Sequence, residues 1–124
     1  MKKKNKLLKP YFLHKDKRGS ILGVFNNYKI EEVNLITSKA NTIRGKHYHK
    51  KTQEILFIIK GELDLFFANL KNKDKITKKI HLREGQTIII NPYEFHWSFN
   101  KKKAQWINFL TKKFNKKKPD ISIS

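Results

Sequence analysis

Two histidines one residue apart, a glutamate close behind them and a third histidine far downstream are the side chains here best suited to chemistry. They are His47 and His49 in Arg44-Gly45-Lys46-His47-Tyr48-His49, then Glu54, then His96. Imidazole titrates at about 6.5 when unperturbed, so it can take or give a proton at physiological pH. Imidazole together with carboxylate also ligates Zn, Mn, Fe or Ni. In a strand, residues two apart point to the same face, so His47 and His49 should project together. The chain holds no cysteine. That removes disulfides, zinc-thiolate sites and thiol nucleophiles together. His14 and His81 have no partner pattern and read as structural.

The elements that must position these groups read as strands nearly throughout. Short apolar or alternating runs cover Ser20 to Phe25, Glu31 to Thr37, Arg44 to His49, Gln53 to Ile59 and Glu62 to Phe67. Lys60-Gly61 between the last two reads as a hairpin turn. Asn69 to Asp74 is polar loop, and Lys75 to Leu82, Gln86 to Asn91, Glu94 to Phe99 and Ala104 to Leu110 complete the set. No segment sustains a helical period, and this many short, evenly spaced strands mean a sandwich or barrel. With 124 residues the chain has room for one domain, residues 1–124. The expected core runs from about residue 10 to 114, between basic ends.

The formal charge of +19 raises the question of nucleic acid. Only three of the 29 basic residues are arginine (Arg18, Arg44 and Arg83). Base readout and bidentate phosphate contacts lean on arginine. The lysines crowd into Lys2 to Lys9, Lys71 to Lys79, Lys101 to Lys103 and Lys112 to Lys118, which are ends and loop tips. No nucleic-acid partner is expected. Leu7-Leu8 runs at once into Lys9-Pro10, so no signal-peptide core forms. No run approaches the roughly 20 apolar residues of a membrane span. A cytoplasmic protein with no membrane partner is expected.

The joint spacing of the histidines is the most specific feature. His49 is followed after four residues by Glu54, and Glu54 after six by Gly61; downstream, Gly85 is followed after ten by His96, and His96 after three by Asn100. These runs resemble the two signature motifs of the cupin superfamily, although Pro92 comes one place late and no glycine separates it from His96. The resemblance spans about Gly19 to Phe109. It implies an all-β cupin jelly-roll barrel, RmlC-like, with His47, His49, Glu54 and His96 converging in its mouth. In metal-binding cupins those four positions are the ligands.

Within the cupins, Asp16 to Ile21 and Thr42-Ile43-Arg44-Gly45-Lys46-His47-Tyr48-His49-Lys50-Lys51 resemble the nucleotide-sugar 3,4-ketoisomerases, relatives of the dTDP-4-keto-sugar 3,5-epimerases. That resemblance implies a homodimer without metal or other cofactor. Its substrate would be dTDP-4-keto-6-deoxyglucose, and the ketone would move from C4 to C3 through an enediolate. It places the base at His47, a second imidazole that orients the sugar or shuttles protons at His49, and a proton donor at His96. Arg44 would clamp the diphosphate, with Arg18, Lys50 and Glu54 also at the substrate. Arg18 together with His96 is similar to the enzymes giving dTDP-3-keto-6-deoxygalactose, a precursor for amination by a PLP-dependent aminotransferase and for surface glycans. Glu54 departs from that pattern, because the compared ketoisomerase has an amide there. The carboxylate either restores a metal-ligand set or raises the basicity of a histidine. The alternatives are a metal-binding cupin, acting as oxygenase or sugar-binding module, and a 3,5-epimerase. Tyr93, Trp97 and Trp106 read as core or rim aromatics.

Overall fold

A computed structural model describes residues 6–123. Strand after strand, alternation of large apolar and small or polar residues dictates which face is buried. In β6 (Glu54–Lys60) Leu56 and Ile58 turn inward, and in β7 (Leu63–Ala68) Leu63, Leu65 and Phe67 do so. These meet Ile88 and Ile90 of β9 (Thr87–Ile90), Leu82 of β8 (Ile76–Leu82), and Ala104 and Trp106 of β11 (Ala104–Leu110). The outer face of β6 and β11 is covered too, since the Phe25 ring stands 4.9 Å from Phe109 and 5.8 Å from Tyr28.

Two antiparallel sheets enclose that core. The first has the order β1-β9-β6-β11-β4, where β1 is Leu7–Leu8 and β4 is Glu32–Ser38. The second has the order β5-β10-β7-β8, where β5 is Thr42–His47 and β10 is Phe95–Asn100. From β4 to β11 successive strands alternate between the two sheets, except that β7 and β8 pair within the second; this is the jelly-roll arrangement expected, and no helix occurs among the described residues. A separate hairpin pairs β2 (Phe12–Asp16) with β3 (Gly19–Gly23), and its apolar residues Tyr11, Leu13 and Ile21 are exposed. The short β1 and β2 lie in a lysine-rich stretch whose local pattern did not reveal strands.

Asn100 closes the end of the barrel opposite the histidines. It is fully buried, donates to the carbonyls of Lys39 (2.7 Å) and Lys102 (3.0 Å), and accepts from Ser38 Oγ (2.9 Å). One side chain therefore ties the turn before β5 to the turn before β11. The chain beyond Phe114 also makes defined contacts: Tyr48 and Ser122 exchange two backbone hydrogen bonds, 2.8 and 2.9 Å, as an isolated bridge.

Candidate active site

The site is assembled by β5, β6 and β10 at one barrel end. His47 and His96 are direct register partners across the β5–β10 pair. The pairing slips between His96 and Trp97, where Gly45 (φ 101°) and Lys46 (φ 62°) form a bulge in β5. A bulge restarts the in–out alternation. Arg44 and His47, three residues apart, therefore both line the same cavity, which plain alternation forbids. Glycine is required at the bulge: a Cβ on Gly45 would lie 3.0 Å from the His96 carbonyl and 3.1 Å from Trp97 Cα.

Strand β5 ends at His47, so His49 lies just past it rather than on it. The two rings still gather. Ring centres of His47 and His96 are 4.8 Å apart, those of His47 and His49 5.0 Å, and those of His49 and His96 5.9 Å. Glu54 Oε1 lies 3.2 Å from His49 Nε2 and 3.5 Å from His96 Nε2. One ligand-capable atom from each of the four residues falls within 4.8 Å of the others. A cavity of about 260 Å³ opens on His47, His96, Glu54 and Arg44, floored by Leu56, Leu65, Ile90 and Trp106.

Each Nδ1 has a task of its own. His49 Nδ1 meets the Asp120 carbonyl at 2.6 Å, and His96 Nδ1 meets the Glu94 carbonyl at 2.8 Å. Carbonyls only accept, so both Nδ1 atoms carry protons and both Nε2 atoms face the Glu54 carboxylate. With its proton on Nδ1, His49 donates from Nε2 to Glu54 only as imidazolium. Burial works against charge on His49, yet its hydrogen bonds to Glu54 and to the Asp120 carbonyl outweigh it and raise its pKa. Burial likewise opposes the Glu54 anion, but His49 and His96 hold its carboxyl at about 2. His47 goes the other way. Burial first, then the neighbouring His96 and His49, push it down to about 4. It is neutral throughout the physiological range and a weaker base than an unperturbed histidine.

Other expected site residues are more dispersed. The Arg44 guanidinium donates to Ser38 Oγ (3.2 Å) and the Thr37 carbonyl (3.3 Å), leaving further N–H groups for a ligand at the cavity wall. Lys50 lies on the exposed loop after β5, with its backbone N–H on Asp120 Oδ1. Arg18 sits at the tip of the β2–β3 hairpin, 87% exposed, paired with Asp16 at 2.6 Å, and does not line the histidine cavity. His14 and His81 both lie at the surface against carboxylates, Asp16 for the first and Asp64 and Glu62 for the second. Trp106 is core, Trp97 stacks on Phe66 at 5.3 Å, and Tyr93 is exposed.

Three participants escaped sequence reading. Asn108 donates to Glu54 Oε2 from the buried face of β11. An amide in the inward register of Ala104, Trp106 and Asn108 was a legible hint. Glu94 contributes through its carbonyl, and Asp120 lies 71 residues from the histidine it touches; neither leaves a local mark.

Three imidazoles and a carboxylate in the mouth of a jelly-roll barrel define a cupin site. The sequence matches the family model of the polysaccharide biosynthesis C-terminal domain over residues 14–122, and the chain belongs to that family. No curated protein matches it. Among solved structures, it is similar to a 3,4-ketoisomerase from Helicobacter canadensis (TM-score 0.74, 18% identity, 93% of this chain and 87% of that one). It is also similar to the dTDP-4-dehydrorhamnose 3,5-epimerase of Sulfolobus tokodaii (TM-score 0.69, 22% identity, 85% and 69%). A third likeness is to the capsular polysaccharide assembling protein CapF of Staphylococcus aureus (TM-score 0.68, 19% identity), where 96% of this chain spans only 32% of that protein. At such identities the likeness establishes the fold.

Proposed function

We propose that this chain is a nucleotide-sugar 3,4-ketoisomerase that converts dTDP-4-keto-6-deoxyglucose to dTDP-3-keto-6-deoxygalactose. The observation that carries this is a neutral imidazole, His47, in edge-to-face contact with a second imidazole, His96, the two lining one hexose-sized cavity that also carries a guanidinium at its wall. The structurally similar ketoisomerase QdtA from Thermoanaerobacterium thermosaccharolyticum has been seen with TDP and with TDP-4-keto-6-deoxyglucose, which supports the substrate class.

The chemistry follows from the site. The hydrogen on C3 is acidified by the C4 ketone, and His47 removes it, leaving the electron pair as an enolate on O4. A proton passes from O3 to O4, the electron pair returns to C4, and His96 protonates that carbon, leaving the ketone at C3. The proton gained by His47 and the one lost by His96 balance. Glu54, touching both His49 and His96, supplies the route by which His96 is recharged. Because His47 is a weak base, carbonyl polarisation by a nearby donor must assist the first step. Arg44 holds the diphosphate.

The galacto assignment rests on Arg18 and His96. Arg18 lies on an exposed apolar hairpin, so it reaches the sugar only in a homodimer whose second copy lays that hairpin over the mouth. Incubation with dTDP-4-keto-6-deoxyglucose and NMR of the product tests activity, and the H4–H5 coupling tests stereochemistry. No turnover removes the isomerase reading; a gluco product removes the role of Arg18 and His96.

One observation favours a second reading, a metal-binding cupin. The donor set His47, His49, Glu54 and His96 is compact, and carbonyls fix two Nδ1–H groups so that Nε2 faces inward. That is the usual outer support of a metal-bound histidine. Those four residues would hold a divalent ion, which would supply Lewis-acid polarisation of a carbonyl oxygen. The isomerase reading expects activity to survive EDTA. Loss on chelation, restored by one divalent ion, with one equivalent of metal in protein purified without a His-tag, favours the metallocupin.

A further inference from the structure

Asp120 lies ten residues beyond the last strand, behind Pro119, in a stretch whose composition suggests only a basic tail. Its side chain is nevertheless among the most heavily hydrogen-bonded in the molecule. Oδ1 accepts from the Lys50 N–H at 2.9 Å. Oδ2 accepts from the N–H groups of Lys51 and Thr52, both at 2.9 Å, and from Thr52 Oγ1 at 2.8 Å. Successive backbone N–H groups converging on one point form an anion-binding nest, here filled by the chain's own carboxylate. The nest begins at the residue after His49, and the backbone carbonyl of the same Asp120 takes the His49 Nδ1 proton at 2.6 Å. The Tyr48–Ser122 bridge ties the chain down two residues beyond Asp120, beside His49.

We infer that Asp120 is a positioning residue for the histidine site, clamping the loop of residues 50–52 so that its own carbonyl fixes the His49 proton on Nδ1 and presents Nε2 to Glu54. The physical reason is leverage. His49 lies past the end of β5, outside the strand ladder, and its backbone is held through its carbonyl by the Tyr93 N–H at 2.7 Å, which leaves the ring to be oriented from elsewhere. A carboxylate with four donors locks the next three residues, and the carbonyl of that residue is thereby held at one place. His96 needs no such device, because it sits within β10 and its Nδ1 acceptor is Glu94, two residues away. Asp120 touches no substrate and acts only through His49.

The inference rests on the reading of this cluster as the working site, and holds whether the cluster moves protons or binds an ion. The experiment uses the full chain and two variants, Asp120→Ala and Asp120→Asn. Long-range ¹H–¹⁵N NMR of EDTA-treated protein, at alkaline pH where His49 is neutral, reads its tautomer. The wild type should show the Nδ1–H form, and the variants a mixture with the Nε2–H form. Turnover of dTDP-4-keto-6-deoxyglucose is measured in parallel. Loss of an outer-shell partner to a working histidine typically costs about 10- to 100-fold. That loss should fall on kcat, with KM changed less than about threefold, because Arg44 and the cavity wall are untouched. An unchanged tautomer in a folded variant overturns the inference, as does an unchanged kcat in an active protein. If the wild type turns over no sugar nucleotide, the proposed function fails, and the tautomer alone still decides the role of Asp120. Should the alanine variant not fold, the same readouts on Asp120→Asn decide.

Discussion

Replacing Glu54 by Gln asks whether one carboxylate organises the two imidazoles that face it. The change keeps the shape and removes one negative charge from a side chain only 13% exposed. The fold holds this carboxyl at about 2 against an ordinary 4.5. At about 1.4 kcal/mol per unit, that gap corresponds to about 3 kcal/mol in favour of the ionised form. The amide returns part of it. Neutral His49, with its proton on Nδ1, accepts at Nε2 from the new NH₂, and a neutral hydrogen bond contributes about 1 kcal/mol. The net loss should be about 2 kcal/mol.

The dependence on pH has a definite sign. Glu54 has a depressed pKa, so its contribution is complete above 4.5 and is lost as the pH falls toward 2. His49 has a raised pKa, so its contribution is complete below 6.5 and fades as the pH rises through its folded value. The gap between wild type and variant should therefore be widest from pH 4.5 to 6.5. Urea denaturation of EDTA-treated protein near pH 3, 5.5 and 8 measures it, as linkage requires. A gap that does not change with pH, or a variant as stable as the wild type near pH 5.5, refutes the reasoning. In catalysis the same variant should lower kcat by about a hundredfold even if no metal is used, because an amide cannot pass on the proton that recharges His96.

Further expectations are simpler. His47→Asn should lower kcat by about a hundredfold or more, the usual scale for a general base, while dTDP affinity, which the proposed reading gives to Arg44, should barely move; near-normal turnover would show the base to be elsewhere. Asn100→Ala should destabilise by about 3 kcal/mol, roughly 1 kcal/mol for each of three lost buried hydrogen bonds, read as a lower urea midpoint with unchanged slope. A loss below about 1 kcal/mol would mean that water replaces the amide. The charge of +19 should give only weak nucleic-acid association that falls steeply with salt, and fluorescence anisotropy showing sequence discrimination at physiological salt would contradict that.

By itself the sequence determined the strand content, the barrel and the convergence of His47, Glu54 and His96. Alternation and fixed spacing are local properties, and each pair of strands can close in few ways. It also carried Asn100 as part of a spacing pattern, without saying that this amide stitches two turns. Only the tertiary structure decided how the cluster is tuned. Arg44 enters the cavity because a bulge at Gly45 and Lys46 breaks the alternation, and a bulge is defined by the partner strand. His47 loses basicity because burial and two imidazoles surround it, a consequence of packing alone. Arg18, placed at the substrate by the family resemblance, lies apart from the histidines in the single chain because its hairpin joins neither sheet. Asp120 grips His49 across 71 residues, and a hydrogen bond between segments so distant leaves nothing for a sequence pattern to repeat.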